Sequence, residues 1–293
     1  MALDKPENFS SAKALAAVKR LLGVSKAGHA GTLDPMATGV LVCCLNRATR
    51  LSRFFMHGPK TYEAELCLGA ETDTQDRMGE VVSTGEVPDI SREGIASVFQ
   101  RFEGWMNQLP PVYSALKHKG VPLYRLARKG SPVQKPPRRV HIRSIDILTV
   151  DMPVVSFRVS CSAGTYIRTL CADVGKALGC GGHLKELRRT RSGGFSLDEA
   201  ATLPELEALA ASGEAGNRVI GMADALRDMP CRRAGRGLVK KIRNGVSLSD
   251  ADFPGDSAPP AAGFLKIVDG ENNLVAVTEK ISASASHAYC CVF

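Results

Sequence analysis

The residues best suited to chemistry in this chain lie in Gly28-His29-Ala30-Gly31-Thr32-Leu33-Asp34-Pro35-Met36-Ala37-Thr38-Gly39-Val40-Leu41, where one carboxylate, Asp34, sits in a glycine-rich segment ahead of an apolar run. Gly28, Gly31 and Gly39 permit backbone conformations and close approaches that larger residues resist, and Pro35 biases Asp34 away from helical geometry. A loop of this kind can hold an acid at the edge of a pocket. An ionised, positioned carboxylate there can attack an electrophilic carbon, which makes Asp34 a candidate nucleophile. Taken alone, Leu33-Asp34-Pro35 also fits an ordinary turn with a solvated Asp.

The elements that must position this acid are legible on both sides of it. Residues 11–22 predict a short helix, capped by Ser10 or Ser11, with Leu15, Val18 and Leu22 on one face and Gly23 past its end. The apolar run 40–45 suits a central strand, and 48–56 a helix after it. Residues 61–69 alternate, with Tyr62, Ala64, Leu66 and Leu68 facing one way and Glu63 and Glu65 the other, the pattern of a half-buried strand. A helix is expected at 91–102, an antiparallel pair at 140–150 and 154–161, and a helix at 165–178 closed by Gly179. A Gly-rich stretch then leads into the basic segment 184–191, followed by a helix near 204–211. Beyond a boundary placed near Asp228, a Pro- and Ala-rich loop at 254–263 precedes two strands, 264–268 and 274–279.

The 293 residues suffice for two domains, and the formal net charge of +8 suits an acidic partner. The distribution of that charge says more. Between Gly104 and Ile145 there are nine Lys or Arg residues and no acid, and removing them brings the two signs to near parity in the rest of the chain. Tyr113, Tyr124 and the prolines at 122, 132, 136 and 137 fall in the same segment, which reads as an extended excursion around a short helix at 123–129. Such a segment can grip a polyanion through phosphates while its aromatics pack on sugars or bases. A basic run also fits a solvated face. A second basic stretch, 229–249, carries Arg232, Arg233, Arg236, Lys240, Lys241 and Arg243 and favours the same class of partner. The nine cysteines include no Cys-x-x-Cys pair and fall mostly in apolar segments, as expected of buried thiols rather than a metal or disulfide framework. Without an apolar run long enough to span a membrane, a reducing cytoplasm is the expected setting.

The 28–41 string resembles the catalytic motif of the TruB family of tRNA pseudouridine synthases, Gly-His-x-Gly-x-Leu-Asp-Pro-x-Ala-x-Gly-x-Leu. Further segments resemble that family's motifs in its own order: Asp4-Lys5-Pro6, Lys60-Thr61-Tyr62, Tyr113-Ser114-Ala115-Leu116-Lys117, Gly164-Thr165-Tyr166-Ile167-Arg168-Thr169 and Leu187-Arg188-Arg189. The tail after Asp228 resembles its PUA-type RNA-binding domain more weakly. The chain departs from the usual Asp-Lys-Pro-x-Gly in carrying Asn8 at the glycine position, where Asn is the next most tolerant residue of a left-handed turn.

The resemblance implies an α/β (α+β) fold: a mixed-sheet catalytic domain at 1–228 with a thumb insertion at about 113–143, and a small β-rich PUA-like domain at 229–293. It implies conversion of uridine to pseudouridine at position 55 in the TΨC loop of tRNA, without cofactor or metal. Asp34 would act with Tyr62, which stacks on the flipped base and brings a phenol near C5, and with Arg168, which keeps the carboxylate charged and oriented. His29 would fill the space the flipped nucleotide leaves, and Tyr166 and Leu187 would wall the pocket. Lys117, Arg125, Arg128 and Lys129 would hold the T-arm stem-loop. The expected partner is tRNA alone, bound by a monomer with no membrane and no obligatory protein partner. A guide-RNA-dependent relative of the dyskerin type and a non-catalytic RNA-binding or RNA-folding protein are the alternatives.

Overall fold

The computed structural model describes residues 1–253, 263–280 and 286–293, so the loop expected at 254–263 lies, apart from Gly263, outside the described residues. Its main feature is a nine-stranded mixed sheet. The strands run in the order Ala2–Lys5, Thr38–Leu45, Gly182–Ser192, Lys60–Leu68, Val154–Cys161, Arg138–Asp151 and Gly104–Gln108. Ala27–Ala30 adds beside Thr38–Leu45, and Phe195–Ser196 beside Gly182–Ser192. Thr38–Leu45 and Gly182–Ser192 pair in parallel, whereas Gly182–Ser192 and Lys60–Leu68 pair antiparallel.

The expected alternation is present at Lys60–Leu68: Tyr62, Ala64, Leu66 and Leu68 are buried, and the residues between them are half-buried. Against that inner face pack the helices Arg92–Gln100 and Ile167–Ala177, through Ile95, Phe99, Leu170 and Val174. Burying four large apolar side chains of this kind stabilises the sheet by roughly 1.5–3 kcal/mol each. The helix Ser11–Leu21 starts where Ser10 accepts a hydrogen bond from the Lys13 amide, and it buries Ala14 and Val18 over Leu3, Leu41 and Cys43. Asn8 has φ 62°, so the left-handed turn expected at this position forms on asparagine. Gly39, at φ 100°, is required by proximity: a Cβ there would stand 2.2 Å from the Arg189 carbonyl oxygen.

Two segments differ from the sequence expectation. Residues 27–30 are not loop but a strand paired with Thr38–Leu45, because Ala27, Gly28 and Ala30 are small enough to lie flat on it. The acid-free segment is not one excursion either. Its ends, Gly104–Gln108 and Arg138–Asp151, are sheet strands, and only the part between leaves the sheet, as the hairpin Lys117–His118 with Val121–Pro122 and the helix Leu123–Arg128. All nine cysteines are free thiols; Cys43, Cys44, Cys161 and Cys171 are buried as expected, Cys67 is half-buried, and Cys231 is exposed.

After residue 230 a second, five-stranded sheet forms, in the order Cys231–Arg233, Gly263–Val268, Leu274–Lys280, Ser286–Val292 and Leu248–Ser249. Its Val268, Val277 and Phe293 join Leu51, Phe54 and Phe55 in one apolar cluster, which ties it to the large sheet. Among the described residues no helix is long and apolar enough to cross a membrane.

Candidate active site

Asp34 stands in the short connection between Ala27–Ala30 and Thr38–Leu45, and its neighbours hold that connection from below. The Ser11 hydroxyl accepts from the Leu33 amide at 2.8 Å and donates to the Leu33 carbonyl at 2.9 Å. Lys5, fully buried, donates to the carbonyls of Pro6, Phe9 and Pro35 at 2.9, 2.6 and 3.2 Å. Burial pushes its ammonium down to about 8, while the negative charge of Asp34 resists the fall. The Ala37 amide closes the turn on the Asp34 carbonyl at 3.1 Å.

Arg168, the second residue of the helix Ile167–Ala177, meets this acid directly. Its Nε lies 2.9 Å from Asp34 Oδ2 in an ion pair without hydrogen-bond geometry, and its Nη2 donates to Oδ1 at 3.5 Å. Its Nη1 donates to the Thr74 carbonyl at 2.8 Å and is ion-paired with Asp76 Oδ2 at 3.5 Å, and its Nη2 also donates to the Tyr113 carbonyl at 2.8 Å. The exposures are unequal. The Arg168 side chain is 4% exposed and that of Asp76 8%, but that of Asp34 is 36% exposed. The guanidinium is therefore fixed from behind, and the carboxylate it holds faces outward, the disposition a nucleophile needs.

Tyr62 and Leu187 lie in the same buried cluster as Leu33, Met36 and Ile167, and Asp34 is near enough for its charge to act on the Tyr62 phenol. Burial raises the Tyr62 phenol, which stays protonated at neutral pH, while the charge of Arg189 acts in the opposite direction. Tyr166 caps the helix that carries Arg168; its amide donates to Gln108 Oε1 at 2.7 Å, and Gln108 Nε2 donates back to its carbonyl at 2.9 Å. The Arg138 guanidinium lies 4.5 Å from the centre of the Tyr166 ring. His29 lies on a strand, with its Nδ1 buried and unpartnered; burial and then the charge of Arg189 lower its pKa, which favours the neutral ring.

Lys117, Arg125, Arg128 and Lys129 are not part of this group. All four are exposed on the excursion, and among the described residues none of them is in an ion pair. The excursion is nevertheless tied to the acid, because the Tyr113 carbonyl at its root accepts from Arg168.

Three residues of the site escaped the sequence reading. Asp76 is the second carboxylate on Arg168, and it is itself held by the Thr74 hydroxyl at 2.7 Å and the Met78 amide at 3.0 Å. Gln108 pins Tyr166 from both sides. Arg189, 1% exposed, donates from Nε to the Val40 carbonyl at 2.7 Å and from Nη2 to the Gly31 carbonyl at 2.9 Å, clamping the backbone on either side of Asp34. The signal for Arg189 was present in Leu187-Arg188-Arg189, since neighbours on a strand point to opposite faces and one of two successive arginines must turn inward. Among the described residues no cluster of His, Cys, Asp and Glu could hold a metal ion.

The comparisons with known proteins agree with one another. The model of the TruB family pseudouridylate synthase N-terminal domain matches residues 19–167, and that of the tRNA pseudouridylate synthase B C-terminal domain matches residues 168–229. The tRNA pseudouridine synthase B of Syntrophotalea carbinolica is 41% identical over 97% of this chain and 92% of its own length. That of Bordetella avium is 49% identical over 71% and 86%. A chain of the Cbf5-Nop10-Gar1 complex superposes with a TM-score of 0.76 at 27% identity, over all of this chain and 83% of that one.

Proposed function

The chain belongs to the TruB family of pseudouridylate synthases, and from that premise we infer that it isomerises uridine to pseudouridine in tRNA, at position 55 of the TΨC loop, with Asp34 as the nucleophile. The observation that supports this reading best is an outward-facing carboxylate held by a buried arginine beside a buried tyrosine. The reaction breaks the N1–C1′ bond, turns the uracil and joins C5 to C1′; N1 gains a proton and C5 loses one. The base must first leave its stack, and the corner formed by Asp34, Tyr62, Leu187 and Tyr166 receives it. Asp34 attacks C1′ or C6, or assists elimination at the sugar, and each route needs the ionised form that Arg168 favours. Tyr62 stacks on the flipped base near C5, and His29 occupies the vacated place in the RNA. No cofactor takes part.

In this reading residues 1–228 form the catalytic unit and 229–293 a PUA-like RNA-binding unit, working as a monomer in the cytoplasm. The test is a turnover assay on unmodified tRNA with mapping of the altered nucleotide. Conversion elsewhere in the molecule would overturn the assigned position, and conversion only with an added guide RNA would replace this reading by the guide-dependent one.

The excursion supplies the grip. Neutralising Lys117, Arg125, Arg128 and Lys129 together will weaken binding of an isolated T-arm stem-loop mainly at low salt. If each contacts one phosphate, the plot of log affinity against log salt flattens by roughly 0.7–0.9 per residue lost. A salt slope identical to that of the unaltered chain would mean that these charges only solvate the surface.

A further inference from the structure

The outer face of the large sheet carries an aromatic that the proposed chemistry does not use. Trp105 is the only tryptophan of the chain, and it is 62% exposed on the edge strand Gly104–Gln108. An indole so exposed forfeits most of the stabilisation that its burial would give. It is nonetheless held in place. The register pairs Trp105 with His141 and Asn107 with Arg139. The His141 ring lies 4.8 Å from the indole at 42°, and the Arg139 guanidinium lies 4.5 Å from its ring centre. Arg139 is exposed and, among the described residues, is in no ion pair, and Arg143, two residues beyond His141, is exposed as well.

The pleat places this group on the side of the sheet away from the pocket. Val140 and Ile142 are fully buried and Gln108 reaches inward to Tyr166, so Trp105, Arg139 and His141 project the other way. Successive arginines thus serve both faces of one edge: Arg138 over Tyr166 inside, Arg139 over Trp105 outside. A ring fixed on paired strands, flanked by cations with no acid partner, has the chemistry of a base-stacking site: every nucleobase offers a π-face, and the guanidiniums meet the phosphates beside it.

We infer that Trp105, with Arg139 and His141, forms a stacking platform on the outer sheet edge for an unpaired base of the tRNA other than the uridine being converted. The inference rests on the reading of tRNA as substrate, and the charge of the patch selects RNA over an apolar protein surface.

The tryptophan reports on itself, so the unaltered full chain can be titrated with full-length unmodified tRNA while its emission is followed, corrected for absorbance by the RNA. The emission should be quenched in step with binding. Trp105→Ala should lose roughly five- to a hundredfold in tRNA affinity, Trp105→Phe should keep most of it, and Arg139→Gln should show a smaller loss. Unchanged emission at saturating tRNA, or wild-type affinity in Trp105→Ala, overturns the platform. Pseudouridine formation by the unaltered chain is scored separately. Quenching without conversion removes the functional reading and leaves the platform; conversion without quenching does the reverse.

Discussion

Asp34→Asn will abolish pseudouridine formation while leaving tRNA affinity within a few-fold. The amide has the shape of the carboxylate, and its oxygen can still accept from Arg168, so the loop held by Ser11 and Lys5 has no reason to move. What disappears is the charge and the nucleophilic oxygen, and no neighbouring acid can replace them: Asp76, the other carboxylate on Arg168, lies behind the guanidinium and is almost fully buried. The check is tritium released from C5-labelled uridine in tRNA, under single-turnover conditions, beside an equilibrium binding measurement. Activity surviving at even about a hundredth of the wild-type rate would assign the attack to another group.

The second large effect is expected at Arg168. Its planar fork meets Asp34 on one edge, and the carbonyls of Thr74 and Tyr113 and the carboxylate of Asp76 on the others. Lysine keeps the charge but has one point of attachment and no plane, so Arg168→Lys should lower the rate constant about a hundredfold with little change in KM. Asp76→Asn should lower it less, about tenfold, because Thr74 and Met78 still hold the amide while the guanidinium loses one counter-charge. The two changes act through one network, so the double variant should be little worse than Arg168→Lys alone. Fully additive losses would show that Asp76 serves something other than Arg168, and an unchanged rate in Arg168→Lys would reduce Arg168 to a structural or phosphate-binding role.

The legible part of the site was whatever a period or a short motif carries. The alternation from Lys60 to Leu68 placed Tyr62 on a buried face, and the Gly-rich string isolated a lone acid. The contact between Asp34 and Arg168 followed from motif order and the family resemblance, since no local rule joins a loop to a distant helix start. The supporting residues were hidden for a physical reason. Asp76 lies in a polar turn where an Asp is ordinary, and its burial depends on a backbone pairing with Leu184 that no local pattern encodes. Gln108 is one of two polar residues on a short edge strand, and only the register shows that it turns inward while Asn107 turns out. Glycine at 28 and 31 signals a turn, so the sequence pattern at 27–30 suggests loop; the small size of these residues lets the segment lie flat against its neighbour.

The hydrogen bond between Arg168 and Asp34 joins residues 134 positions apart, and the parallel pairing beside it brings Thr38 to Arg188. Contacts of such long separation require large loops to close before they are rewarded, which slows their formation relative to helices and hairpins. The attacking group and its partner therefore meet beside a pairing that needs both Thr38–Leu45 and Gly182–Ser192, and a chain that has not yet emerged past the second of these during synthesis cannot display the competent pair. After dilution from denaturant, the far-ultraviolet signal of the backbone should return first and the capacity to modify RNA after it, so that enzymatic competence serves as a clock for the closing step of folding.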